Sequence, residues 1–139
     1  MSKRTLLQPQ EIEVFYIIPT IRKYLAMQMK ANGLKQNKVA ELLQIEEAAV
    51  SQYLNNKRGD KIILGKEILA EINISSFKIK DEISLLSETQ KLLKFIRNSG
   101  YLCKIHKQLS MAPLSCGPEH VGCMTKSEEH NITNVKFIE

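Results

Sequence analysis

The stretch from residue 36 to residue 55 constrains the fold more than any other part of the chain. Its sequence is QNKVAELLQIEEAAVSQYLN. Two groups of apolar residues recur in it at helical spacing, first Val39, Ala40 and Leu43, then Val50, Tyr53 and Leu54. Leu43-Gln44-Ile45 leaves no room for a loop, and Ala40 is small enough for close packing. The pattern therefore predicts two short helices joined by a tight turn, the second crossing the first.

The order of residue types in this stretch follows a known pattern. It consists of Gln36, Val39-Ala40, Leu43, Ile45, Ala49-Val50-Ser51 and Tyr53-Leu54. With these residues the stretch resembles the helix-turn-helix of phage-repressor-like (XRE/Cro-type) transcription regulators, and the following NNKRG resembles archaeal members. The resemblance implies an all-α, repressor-like bundle of about five helices. It also implies a sequence-specific regulator that binds double-stranded DNA, as a homodimer, with residues 46–55 in the major groove.

Two departures from that family pattern bear on function. The turn usually carries glycine, which adopts left-handed backbone angles without steric cost, and here it carries Gln44. The second helix usually opens with Thr-Gln or Ser-Gln, and here it opens with Glu46-Glu47. These departures favour an alternative, a protein-interaction module that keeps the helix-turn-helix only as a scaffold.

The helical spacing also predicts which side chains of this stretch face outward. Outward residues that suit base edges are Glu47, Ala48, Ser51, Gln52 and Asn55. Flanking residues that suit phosphates are Lys35, Gln36, Lys38, Lys57 and Arg58. Each single lysine is better explained as a solvated charge, so the prediction of phosphate contact rests on the cluster. Glu46 and Glu47 are equally well explained as charges at a helix N-terminus.

The net charge of +5 in 139 residues is unevenly distributed. Residues 1–60 carry +3 and residues 61–108 carry +4, whereas residues 109–139 carry −2. A modestly basic domain of about 100 residues suits contact with phosphates. The chain has neither a signal-peptide pattern nor a long apolar run, so the expected location is the cytoplasm. Without a phosphate-binding glycine loop, a HExxH motif or apolar paired carboxylates, we expect no enzymatic activity.

The rest of residues 1–100 predicts a helical domain around the motif. Apolar residues from 11 to 29 predict a helix that packs on the motif, with Pro19 kinking or splitting it and Gly33 following its end. Residues 62–72 predict a further short helix, broken by residues 73–76. The alternation in SFKIK (76–80) is compatible with a strand. Residues 81–100 predict a long helix, with a possible interruption near Ser87.

Residues 101–139 predict an irregular appendage that differs in composition from the helical domain. All cysteines and histidines of the chain lie here, and the candidate metal ligands are Cys103, His106, Cys116, His120 and Cys123. Pairs separated by two residues can hold one tetrahedral ion, so a structural zinc bound by four of these five is one interpretation. Thiols without a metal are the other. The segment resembles the Cys/His-rich tails of archaeal regulators and would serve dimerisation, partner contact or sensing.

Overall fold

The computed structural model describes residues 5–113 and 115–116, and these residues form helices and connections with no β-strand among them. The all-α prediction is confirmed for this part of the chain. The first helical run comprises α1 (Pro9–Ile12), a π turn (Glu13–Ile17) and α2 (Ile18–Ala31). Three further helices with their connections follow within residues 36–78, and two more within residues 82–109.

The π turn explains how a proline fits inside a long helix. Pro19 is the second residue of α2, directly after the π turn, and it has no N–H to donate to that turn. The preceding residue, Ile18, donates its N–H to the carbonyl of Glu13, five residues earlier. One wider turn thus absorbs the proline and the run continues. The sequence predicts a kink or a split at Pro19; the structure has a π turn just before it, and the second α-helical piece begins at Ile18 rather than at Pro19.

The next two helices lie where the motif predicts them. α2 ends at Ala31 with Asn32 as its C-cap, and Gly33 follows with φ +93°, as predicted. Leu34 donates its N–H to the carbonyl of Met29, and Gly33 donates to Lys30, which is a Schellman closure. α3 spans Gln36–Leu43 and α4 spans Glu47–Leu54, with three residues between them.

α5 contradicts two of the sequence predictions. It spans Lys66–Lys78, so residues 73–76 do not break it and residues 76–80 form no strand. Serine hydroxyls often compete with helical hydrogen bonds, but both hydroxyls here have partners that leave the helix intact. Ser75 donates to the Glu88 carboxylate at 3.1 Å, and Ser76 donates to the Asn73 carbonyl at 2.6 Å. Ile72 and Ile79, on either side of the two serines, are buried, and their burial favours the longer helix.

α6 spans Glu82–Asn98 without interruption at Ser87. Its N-cap is Asp81, whose carboxylate accepts the backbone N–H of Ser84 at 2.7 Å. This hydrogen bond, and a second one from the Ser84 hydroxyl, lower the pKa of Asp81. The capped start and the regular apolar spacing explain why this helix was predictable from sequence.

The structure corrects the prediction that residues 101–139 are irregular. Residues Tyr101–Leu109 form a helix, α7, which packs against α1 and α6. Leu102 and Ile105 are buried in the same core as the other helices. The spacing of Leu102, Ile105 and Leu109 is typical of a helix, but the cysteine and histidine content led to the prediction of an irregular, metal-binding segment. The bundle therefore extends at least to residue 109.

The start of the described chain is fastened to the end of α7. His106 is buried, and its Nε2 is hydrogen-bonded to the carbonyl of Leu7. Leu7 donates its N–H to the Ser110 hydroxyl at 2.7 Å, and Met111 donates its N–H to the carbonyl of Thr5 at 3.0 Å. These contacts join residues about 100 positions apart and close the bundle.

α2 is the central helix of the bundle, packing against α3, α4 and α5. It contributes Ile21, Leu25, Ala26 and Met29 to the core, where they meet Val39, Val50 and Ile72. The prediction that this helix covers the apolar side of the motif is confirmed. No helix among the described residues combines the length and the apolar character needed to cross a membrane.

Two buried carboxylates are paired inside the bundle. Glu13 in the π turn accepts two hydrogen bonds from Arg97 of α6, at 2.8 and 2.9 Å. Glu88 of α6 accepts from Lys91 at 2.9 Å and from the Ser75 hydroxyl. The Lys91 contact is the main cause of the lowered pKa of Glu88; burial opposes it, and the hydrogen bond from Ser75 adds to it.

Candidate nucleic-acid interface

α4 has one buried and one accessible side, as the helical spacing predicts. Ala49, Val50 and Tyr53 are buried against α2 and α3. The opposite side carries the five residues expected at base edges. Glu47, Ala48 and Asn55 are exposed, and Ser51 and Gln52 are half-buried. The five side chains therefore lie on the accessible side of one short helix, and their contact with DNA stays a prediction.

Gln36 links the two helices of the motif. Its side-chain amide donates to the hydroxyl of Ser51 and to the backbone carbonyl of Glu47, the latter at 3.2 Å. The sequence alone indicates Gln36 as a phosphate contact and Ser51 as a base contact, each acting alone. The structure couples the two residues, because the Ser51 oxygen accepts a hydrogen bond from Gln36. The Ser51 hydroxyl hydrogen can then be donated to another acceptor.

The turn between α3 and α4 adopts the conformation that usually calls for glycine. Gln44 has φ 55° and ψ 43°, in the left-handed region. Ile45 donates its N–H to the carbonyl of Ala40 at 3.0 Å, and Gln44 donates to Glu41 at 3.2 Å. The Gln44 side-chain amide also donates to the Glu41 carbonyl at 3.0 Å. These hydrogen bonds offset part of the strain of a non-glycine residue in this position.

The segment after α4 (residues 55–60) is held against the start of α2. Asn56 has φ 58°, and Lys57 donates its N–H to the carbonyl of Gln52 at 2.8 Å. Gly59 has φ +69°, and a Cβ placed on it would lie 2.6 Å from the carbonyl oxygen of Pro19. Since only glycine permits this approach, the segment presents Lys57 and Arg58 beside α4 in a defined path.

One basic residue near this segment, Lys23, is not among those predicted from the sequence. Lys23 of α2 lies beside this segment, because its Cβ would be 2.9 Å from a Cβ on Gly59. Its ammonium stands 5.6 Å from the ring centroid of Tyr24. Lys23 is far from the motif in sequence and was assigned only to the amphipathic first helix. No local pattern pointed to it, because its position depends on where residues 55–60 pack.

The charges around α4 are mixed. Lys35, Lys38, Lys57 and Arg58 are all exposed, which suits contact with phosphates. Lys38 also faces the carboxylate of Glu41 at 3.5 Å, with both side chains exposed. Glu46 occupies the N-cap of α4, but its side chain makes no capping hydrogen bond. The two glutamates are therefore accessible charges at the N-terminus of α4, where negative charge suits the helix dipole.

The predicted metal ligands lie only partly within the described residues. Cys103 and His106 are on α7, Cys116 follows it, and His120 and Cys123 lie outside the described ranges. Within those ranges no three cysteine, histidine or acidic side chains come together as a metal site. His106 uses Nε2 for Leu7, which leaves Nδ1 as the nitrogen that a metal would need. The zinc site stays a prediction.

Comparison of the chain with known proteins does not extend the assignment. No protein-family model matches it. The searches of curated proteins and of solved structures also returned no match. The residues and the geometry of the α3–α4 unit (residues 36–54) are therefore the basis for assigning a function.

Proposed function

We propose that the chain is a sequence-specific regulator of transcription that binds double-stranded DNA with α4 in the major groove. One observation carries the proposal. α4 buries its apolar side in the bundle and leaves a polar side accessible, and exposed cations are present in the neighbouring helix α3 and in residues 55–60. An eight-residue helix supported in this way has dimensions that a major groove admits.

The side chains of α4 suit direct readout of bases. The Gln52 carboxamide can make two hydrogen bonds to adenine, and Ala48 can contact a thymine methyl group. Because Ser51 already accepts from Gln36, its hydroxyl is available to donate to a purine N7 or to a phosphate oxygen. Glu47 can accept from the amino group of cytosine, and Asn55 lies at the end of the same side.

Phosphate contacts would set the position of α4 on the duplex. Lys35 is the N-cap of α3 and Lys38 lies in its first turn, whereas Lys57 and Arg58 follow the C-terminal end of α4. Such contacts make affinity depend steeply on salt without contributing sequence information directly. Lys23, whose Cβ lies next to Gly59, would add one more cation near residues 55–60. A homodimer would place two α4 helices in half-sites about one helical turn apart.

The alternative is a protein-interaction module that uses the α3–α4 unit only as a scaffold. The accessible carboxylates of Glu46 and Glu47 at the start of α4 favour it, because phosphates repel them. This alternative expects no salt-sensitive DNA affinity. It also expects that substitutions on the accessible side of α4 leave DNA retention unchanged.

The test is fluorescence-anisotropy binding to a random duplex pool, titrated with salt and followed by sequencing of the retained DNA. With four phosphate contacts per protomer, log affinity should fall with log salt at a slope of about −3 to −4 on a half-site, and at about twice that slope for a dimer on both half-sites. An enriched palindrome would support a dimeric regulator, and an enriched half-site would support a monomeric one. No enrichment together with no salt dependence would refute DNA binding and favour the alternative.

Gln52→Ala sharpens this test. Loss of the carboxamide should reduce discrimination at one base position by about 1–3 kcal/mol, with little change in the free energy of unfolding. The matched control is Gln90→Ala, at an exposed glutamine of α6. If both variants retain the same DNA sequences with the same preference, Gln52 does not read a base.

A further inference from the structure

The largest apolar side chains exposed on α5 and α6 lie near the connection between these helices. Ile74 and Phe77 are three residues apart near the end of α5, and Ile83 and Leu86 are three apart near the start of α6. Residues at this spacing share one side of a helix. We call these four residues and the connection between them the corner surface. Exposed apolar residues grouped in this way commonly mark an interaction site.

A groove of about 400 Å³ lies beside the corner surface, between α3 and the end of α5. Its apolar lining comes from Leu34, Leu42, Ile79 and Phe77. Phe77 is 61% exposed, so its ring forms a wall of the groove and also projects from the surface. The corner surface therefore carries protruding apolar groups next to a hollow that can accept apolar groups.

The charges beside these apolar groups are of both signs. Lys38 and Lys80 line the groove. A neighbouring hollow, lined in part by Ile83 and again by Lys80, carries the three carboxylates Glu41, Asp81 and Glu82. A ligand of one charge would meet attraction in one hollow and repulsion in the next. A second copy of the same surface would bring cations to carboxylates in both directions.

We propose that the corner surface is the interface between two copies of this chain, related by a twofold axis. In such an interface the same patch faces itself, so it must offer both parts of every contact. The corner surface and the two hollows beside it do so, since together they have protruding side chains at Phe77 and Ile83, an apolar groove, and charges of both signs. The inference deepens the proposed function, on whose homodimer it rests, by assigning the dimer interface.

The position of the corner surface is compatible with DNA binding by α4. No α4 residue lines either hollow. Among the residues expected at phosphates, only Lys38 belongs to the groove lining. Pairing through this surface thus leaves the accessible side of α4 available in both copies.

The test is sedimentation equilibrium of the full chain without DNA, using variants with matched controls. Ile83→Asp places a charge at a residue that is 78% exposed, and its control is Ile63→Asp, at 79% exposed. Phe77→Lys is matched by Phe15→Lys, since these rings are 61% and 59% exposed. All four residues are exposed, so the variants should fold, which circular dichroism checks.

We expect a dimer whose dissociation constant rises by about tenfold or more in Ile83→Asp and in Phe77→Lys, and changes little in the two controls. A chain that is monomeric at all concentrations would overturn the proposal. So would a dimer weakened by Phe15→Lys rather than by Phe77→Lys, or open-ended assemblies in place of a dimer.

The DNA assay separates this proposal from the proposed function. Ile83→Asp should keep the half-site affinity and salt slope of the wild-type chain while losing tighter binding to a palindrome. A dimer disrupted by these variants in a chain without DNA affinity would refute DNA binding and leave the interface standing. DNA binding by a chain that stays monomeric would refute the interface and leave the proposed function standing.

Discussion

Gly59→Ala tests how residues 55–60 are held beside α4. Gly59 has φ +69°, where alanine is less stable than glycine by about 1–2 kcal/mol. Part of this strain is offset, by about 0.4–1 kcal/mol, because alanine restricts the unfolded chain. Backbone conformation alone therefore predicts a loss of about 1 kcal/mol in the free energy of unfolding.

The close approach to α2 adds a second cost at this position. The new Cβ would lie 2.6 Å from the carbonyl oxygen of Pro19 and 2.9 Å from the Cβ of Lys23. Neither atom is the end of a flexible side chain, so either residues 55–60 or the start of α2 must move. Overpacking of this kind costs about 1–3 kcal/mol, which gives a total of about 2–4 kcal/mol.

Gly33→Ala is the matched control. Gly33 has φ +93°, but a Cβ there meets no atom within 4 Å, so only the conformational cost of about 1 kcal/mol applies. Urea denaturation of the two variants gives the comparison, and Gly59→Ala should be the less stable by about 1–3 kcal/mol. Equal losses in the two variants would refute the close packing of Gly59 on α2. If the packing holds, Gly59→Ala should also weaken DNA binding at all sequences alike, by displacing Lys57 and Arg58.

Three further predictions concern the bundle itself. Arg97→Ala leaves the Glu13 carboxylate buried without its two hydrogen bonds. Because Arg97 is about one third exposed, the free energy of unfolding measured by thermal denaturation should fall by only about 2–3 kcal/mol. A loss below about 0.5 kcal/mol would show that the pair is not needed for stability. Because the pKa of Glu88 is lowered, its pairing with Lys91 stabilises the fold fully above the ordinary glutamate pKa of about 4.3, and this stabilisation is lost as the pH falls through the lower folded-state pKa. The difference in the free energy of unfolding between wild type and Glu88→Gln should therefore shrink over that pH range. A constant difference from pH 7 to pH 3 would contradict this prediction. Gln44→Gly removes left-handed strain at the cost of one exposed side-chain hydrogen bond and added unfolded-state entropy, so it should raise stability by about 0.5 kcal/mol, whereas a lower denaturation midpoint would argue against the left-handed turn.

The local features of the sequence determined a large part of this fold. Apolar spacing and helix-end signals within about ten residues determine the bounds of α3 and α4, the turn at Gln44 and the closure at Gly33. The same holds for α6 with its cap at Asp81. These features were predictable because the interactions that decide them join residues close in sequence.

Contacts between distant parts of the chain decided the rest. α5 continues through residues 73–76, where the Ser75 hydroxyl donates a hydrogen bond to Glu88 on another helix. α7 packs in the core, and its His106 is hydrogen-bonded to the carbonyl of Leu7, 99 residues away. In the candidate interface, the sequence indicated Gln36, Ser51 and Arg58 one by one. Only the tertiary structure coupled the first two and set residues 55–60 on α2, since partners far apart in sequence leave no local pattern to read.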